Sequence, residues 1–139
     1  MGIEFEHVSK RYPDGTVAVD DFSLTVPTGR FTVLVGSSGS GKTTLLRMVN
    51  RMVTPTAGRV LIDDEDIAGT DPVKLRRRIG YVMQNSGLLP HRRVLDNIAT
   101  VPRLNGVGRR EAQSRALDLM DLVGLDRSMA RRWPEQLPG

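Results

Sequence analysis

Cysteine is absent from the 139 residues, which excludes a disulfide framework and any thiolate-bound metal and fits a reducing compartment. Histidine occurs only as His7 and His91. Far apart and without carboxylates at ligand spacing, the two are given no metal role. Aromatic residues make up 4% of the chain. Dedicated nucleic-acid binders interleave aromatics with their basic residues. The arginine runs Arg76-Arg77-Arg78, Arg92-Arg93, Arg109-Arg110 and Arg131-Arg132 therefore suit solvated helix faces and loops better than a nucleic-acid groove. No nucleic-acid partner is expected. No apolar run approaches the length of a membrane span, and the start Met1-Gly2-Ile3-Glu4 lacks the basic-then-apolar order of a secretory leader. The chain is expected neither to span a membrane nor to be exported.

What is present suits a globular domain. Hydrophobic residues are 39% and charged residues 26%, with 20 basic side chains against 16 acidic and a formal net charge of +4. A chain of this length can bury a real core without covalent staples. Ile3 to Val8 alternates apolar and polar side chains, Tyr12-Pro13-Asp14-Gly15 reads as a turn, and Val17 to Val19 and Phe22 to Val26 resume the strand pattern before Pro27-Thr28-Gly29. Together these predict antiparallel hairpin structure. Phe31-Thr32-Val33-Leu34-Val35 is nearly continuous in apolar and β-branched residues, the pattern of a central strand buried on both faces.

Helical spacing follows in Leu45, Met48, Val49 and Met52. Val60 to Ile62 and Ile79 to Met83 read as two further strands. Pro72 to Arg78 reads as a short helix capped by Asp71, and Val94 to Ala99 as a second helical piece. The longest predicted helix runs from Arg109 to Val123, with Ala112, Ala116, Leu119, Met120 and Val123 on its inner face and Gly124 as its stop. A composition shift near Gly87 to Pro90 predicts a subdomain boundary.

The chemistry lies in Gly36-Ser37-Ser38-Gly39-Ser40-Gly41-Lys42-Thr43, which matches the phosphate-binding loop pattern between an apolar strand and a helix. Its glycines let backbone N–H groups approach phosphate oxygens, and the following helix turns its positive end to the same place. Lys42 is a point charge for the β and γ phosphates, Thr43 a hydroxyl for Mg²⁺, and Thr44 extends the nucleotide-binding set. Val60-Leu61-Ile62-Asp63-Asp64-Glu65 is a weaker candidate for a second motif, an apolar strand ending in Mg-binding acids. Its apolar run is short, and the acids from Asp63 to Asp66 suit an exposed hairpin turn better.

Tyr12 stands ahead of the loop and Gln84 follows the expected strand Ile79 to Met83. An aromatic residue, a phosphate loop and a glutamine in this order resemble the ATP-binding subunits of ABC transporters. The resemblance implies that Tyr12 stacks on adenine. It also implies that Gln84, with Lys42 a catalytic candidate, approaches Mg²⁺ and the attacking water. Asn50-Arg51-Met52, the segment Arg78 to Gln84, Leu89-Pro90-His91 and the segment Asn97 to Pro102 are similar to the osmoprotectant importers, which carry glycine betaine, proline, carnitine or choline. The implied fold is α/β, a P-loop NTPase of the ABC ATPase type. It would comprise a partial RecA-like core with an antiparallel β subdomain over residues 1–88 and the start of an α-helical subdomain over residues 89–139. The implied partners are a membrane permease, a second ATPase subunit and, indirectly, a substrate-binding protein. The implied location is the cytoplasmic face of the membrane. Leu88, Leu89, Pro90 and His91 are candidates for the permease-facing surface.

The sequence also departs from that family. Its Leu-Ser-Gly-Gly-Gln signature is expected after Trp133-Pro134-Glu135-Gln136, where this chain reads Leu137-Pro138-Gly139. Proline at the serine position has neither hydroxyl nor N–H to offer a phosphate. The Walker B strand, D-loop and switch histidine are not found in the 139 residues. The chain is therefore expected to bind Mg·ATP but to hydrolyse it poorly or not at all. The alternative is a truncated, non-hydrolysing nucleotide-binding or interaction module.

Overall fold

The computed structural model describes residues 1–84 and 87–137; Asn85, Ser86, Pro138 and Gly139 lie outside the described residues, and with the last two all of the expected signature positions but Leu137. The chain forms two compact units, Met1–Ile79 and Gly80–Gly139. The composition change near Gly87 to Pro90 falls inside the second.

The first unit is built on a four-stranded antiparallel sheet of order β2-β1-β3-β4, comprising β1 (Ile3–Arg11), β2 (Val17–Val26), β3 (Ala57–Ile62) and β4 (Glu65–Asp66). The alternation read in the first two segments sets the register: Phe5 lies opposite Leu24 on one side and Val60 on the other. Its ring meets Phe22 edge-on, with centroids 5.7 Å apart. The acidic stretch after Ile62 is a hairpin, as its composition predicts. Asp63 and Asp64 both take positive φ (50° and 65°) between β3 and β4, the backbone of a tight two-residue turn. It is not a second magnesium-binding strand.

Helix α1 (Lys42–Val49) packs Leu45, Met48 and Val49 into the sheet's core, together with Phe5, Val8, Val60, Ile62, Ile67 and Leu75. Met52, expected on the same face, lies past the helix end and is 55% exposed. Helix α2 (Pro72–Arg78) starts as predicted: Asp71 accepts a hydrogen bond from the Lys74 N–H at 2.8 Å, with proline in the first turn. Its last turn is basic, which suits the negative end of a helix. Arg76 also donates to the carbonyls of Asn50 and Arg51 at 2.9 and 2.8 Å, satisfying the carboxyl end of α1.

Two predicted strands are not strands here. Segment 31–35 follows the sheet with no ladder partner, leaving Phe31 92%, Val33 64% and Val35 90% exposed. Only Leu34 packs against the core. Segment 79–83 is likewise irregular, with Val82 93% exposed. The reason is physical: a central strand exists only through neighbours hydrogen-bonded on both edges, and neither segment finds one among the described residues.

The second unit is helical: α3 (Val94–Ile98), α4 (Thr100–Leu104) and α5 (Arg109–Leu122). Helix α5 ends where Gly124 takes φ 73°. Its buried stripe is Ala112, Ala116 and Met120; Leu119 and Val123, expected beside them, are 48% and 75% exposed. The inner face is thus a narrow row at four-residue spacing, and Leu119 and Val123 stand off its edge. The short α4 was not evident in the sequence because it contains Pro102. In a first turn the missing N–H has no intrahelical partner to lose.

Candidate functional site

The glycine loop connects segment 31–35 to α1. Gly41 is the N-cap of α1 in the left-handed region, φ 85°, and a β-carbon there would collide with the Ala18 carbonyl oxygen of β2. Glycine is therefore required twice over, by conformation and by space. A β-carbon on Gly36 would lie 2.6 Å from Ser40 Oγ and 3.8 Å from Lys42 Nζ. Without it the loop closes around the lysine. The Lys42 ammonium donates to the Gly36 carbonyl at 2.8 Å, the Ser37 carbonyl at 2.6 Å and Ser40 Oγ at 2.9 Å.

One cation held by three oxygen acceptors at the mouth of a helix is an arrangement in which phosphate oxygens can replace protein oxygens. Gly41 has no side chain to cap α1, so the first-turn N–H groups remain to be satisfied from outside. Ser38, Gly39 and Thr43 are exposed and Thr44 is half-buried. A cavity of about 290 Å³ opens beside Lys42 and Ser40, walled by Ala18 and Val19 of β2, Leu34 and Leu45. These wall residues were not evident from the motif, since only the folded hairpin brings β2 to the loop. The donor set, the missing β-carbons and the helix terminus together fit a phosphate chain.

Tyr12 closes the β1–β2 turn, its carbonyl accepting from the Gly15 N–H at 2.9 Å. Its ring is 37% exposed, lies 5.3 Å from the Lys10 ammonium and does not line the cavity beside Lys42. Gln84 is exposed on the second unit. In the same unit Leu88, Leu89, Pro90 and His91 are exposed. The Asn97 side chain fixes the backbone of that loop. Its carbonyl accepts from the Leu89 N–H at 2.7 Å, and its amide nitrogen reaches the carbonyls of Leu89, Arg92 and Arg93 within 3.1 Å. His7, at a bulge in β1, has Asp21 Oδ1 at 2.7 Å from its Nδ1.

Comparison with known proteins identifies a family. Residues 19–139 match the ABC transporter family model. The chain is 45% identical over 137 residues to the carnitine transport ATP-binding protein OpuCA of Listeria monocytogenes, a match covering 99% of this chain and 34% of that protein. It is 42% identical over 137 residues to the glycine betaine/carnitine/choline transport ATP-binding protein OpuCA of Bacillus subtilis, covering 99% of this chain and 36% of that one. The chain thus spans about a third of the length of these curated relatives. Among solved structures, the dimeric post-hydrolysis state of the ATP-binding cassette MJ0796, bound to ADP and Pi, superposes with a TM-score of 0.89 at 29% identity, over 98% of this chain and 63% of that one.

Proposed function

The chain belongs to the ABC transporter family, and we propose that it is the nucleotide-binding portion of the ATP-binding subunit of an importer for quaternary-amine osmoprotectants. The observation that carries the reading is the Lys42 ammonium held at the centre of a glycine loop. The substrate class follows the relatives, which are named for carnitine, choline and glycine betaine at 42–45% identity.

In this reading residues 1–88 carry the nucleotide site and residues 89–139 begin the helical subdomain. Lys42 and the N–H groups of residues 36–44 bind the phosphates of ATP, and Tyr12 lies against adenine. Thr43 and Gln84 hold Mg²⁺, which when bound neutralises charge on the phosphate oxygens. Leu88, Leu89, Pro90 and His91, fixed by Asn97, meet a membrane permease at the cytoplasmic face. A second ATPase subunit completes the site, and a substrate-binding protein delivers the osmolyte to the permease. Hydrolysis needs charge stabilisation from both sides of the phosphate and an oriented water. The hairpin at Asp63 to Asp66 supplies neither, so residues 1–139 alone bind Mg·ATP with little or no turnover.

A chimera tests the reading. Residues 1–137 replace the matching segment of the Bacillus subtilis protein, and betaine uptake is measured in osmotically stressed cells lacking their own system. Uptake that Lys42→Ala abolishes is the expected result. Uptake no greater than that of the Lys42→Ala chimera, at equal expression, contradicts it.

A further inference from the structure

The arginines of the second unit have no role in the nucleotide site, yet Arg92, Arg93, Arg103 and Arg109 converge. A cavity of about 380 Å³, the largest of those described, lies between α3, α4 and the start of α5. Arg92, Arg93, Arg103 and Arg109 line it against a single carboxylate, Asp96, with Trp133 at its rim. Among the described residues none of the four guanidinium groups forms an ion pair. The Asp96 carboxylate instead accepts from Gln113 Nε2 at 3.2 Å. Arg92 is steadied by Thr100 Oγ1 at 3.2 Å, and Arg93 donates to the Arg131 carbonyl while its guanidinium lies 4.9 Å from the Trp133 ring centroid.

Helix α5 adds to the imbalance. Its cap, Gly108, offers no side-chain acceptor, and its first two residues are Arg109 and Arg110. Cations are disfavoured at a helix N-terminus, where anions are preferred. Glu111, the one acid of that turn, is engaged with Arg115 at 2.5 Å. Four exposed guanidinium groups against one carboxylate leave an excess of positive charge at this place that a bound anion would offset.

We propose that this cavity binds a phosphate group. Guanidinium forks match phosphate oxygens in pairs, and a phosphate, monoester or diester, brings negative charge and at least a pair of acceptor oxygens to a lining in which cations outnumber anions. The phosphate belongs either to a small soluble molecule or to a lipid headgroup. The inference goes beyond the nucleotide-binding reading and does not rest on it.

Trp133 is the only tryptophan in the chain, so its fluorescence reports on the cavity directly. The titration uses the Lys42→Ala chain, which removes the phosphate loop as a competing site. One arm adds inorganic pyrophosphate; the other adds phosphatidylglycerol vesicles, with phosphatidylcholine vesicles for comparison. A saturable change is expected, weakened at least about tenfold by Arg103→Gln with Arg109→Gln and largely kept by Arg109→Lys. A response to pyrophosphate identifies a soluble ligand, and a response to the anionic vesicles alone identifies the headgroup. Silence in both arms overturns the proposal. So does a response that survives the double substitution in protein with an unchanged circular dichroism spectrum.

Discussion

Phe5 and Phe31 both stand in segments of the first unit that carry a strand pattern, yet Phe5 is 5% exposed and Phe31 is 92% exposed. β1 has β2 on one edge and β3 on the other, so its backbone groups are paired and its inner side chains face α1. Segment 31–35 leads from the same sheet into the phosphate loop with neither edge paired among the described residues, and of its side chains Leu34 packs against the core. Strand pattern is thus permission, and pairing is what turns it into burial. The loop nevertheless keeps its form beside the unpaired segment. Its shape comes from its own glycines, from Lys42 and from contact with β2.

The two phenylalanines give the widest contrast. Phe5→Ala is expected to cost about 3–5 kcal/mol in urea unfolding, enough to unfold a marginal chain. Phe31→Ser is expected to change stability by less than about 0.5 kcal/mol and to reduce aggregation. Equal losses would mean that segment 31–35 is buried in solution. Next in size, Gly41→Ala combines a positive φ with a collision at the Ala18 carbonyl. It should cost about 1–3 kcal/mol and remove nucleotide binding.

Removing the α2 cap by Asp71→Ala should cost about 1 kcal/mol by thermal unfolding, because only one helix end loses its acceptor. The smallest effect is one of pH. Hydrogen bonds from Arg127 hold the Asp121 carboxyl below its ordinary value, and the Ser128 N–H does the same for Asp126. A carboxylate lowered on folding stabilises the fold above its unfolded pKa, near 3.9, and loses that contribution as pH falls through the folded value. Acid unfolding of Asp121→Asn should therefore begin from lower stability and show a shallower loss in this window.

The parts legible in the sequence were those set by neighbouring residues. The β1–β2 hairpin followed from alternation and a turn, α2 from Asp71 and Pro72, the acidic turn from Asp63 and Asp64, and the phosphate loop from its glycine spacing. The parts that were not legible depend on distant chain. Segments 31–35 and 79–83 carry strand pattern without a strand to pair with among the described residues. Leu119 and Val123 carry helical spacing beyond the row of Ala112, Ala116 and Met120 that the second unit covers. The convergence of Arg92, Arg93 and Arg109 on one cavity depends on how α5 returns to α3, which no local pattern encodes.

The central claim is that residues 36–44 form a working phosphate site in this chain. Equilibrium binding of a fluorescent ATP analogue with Mg²⁺, comparing the chain with its Lys42→Ala variant, tests it most directly. Saturable binding that the variant loses is the predicted result. Absence of binding, or equal binding by both, would contradict it.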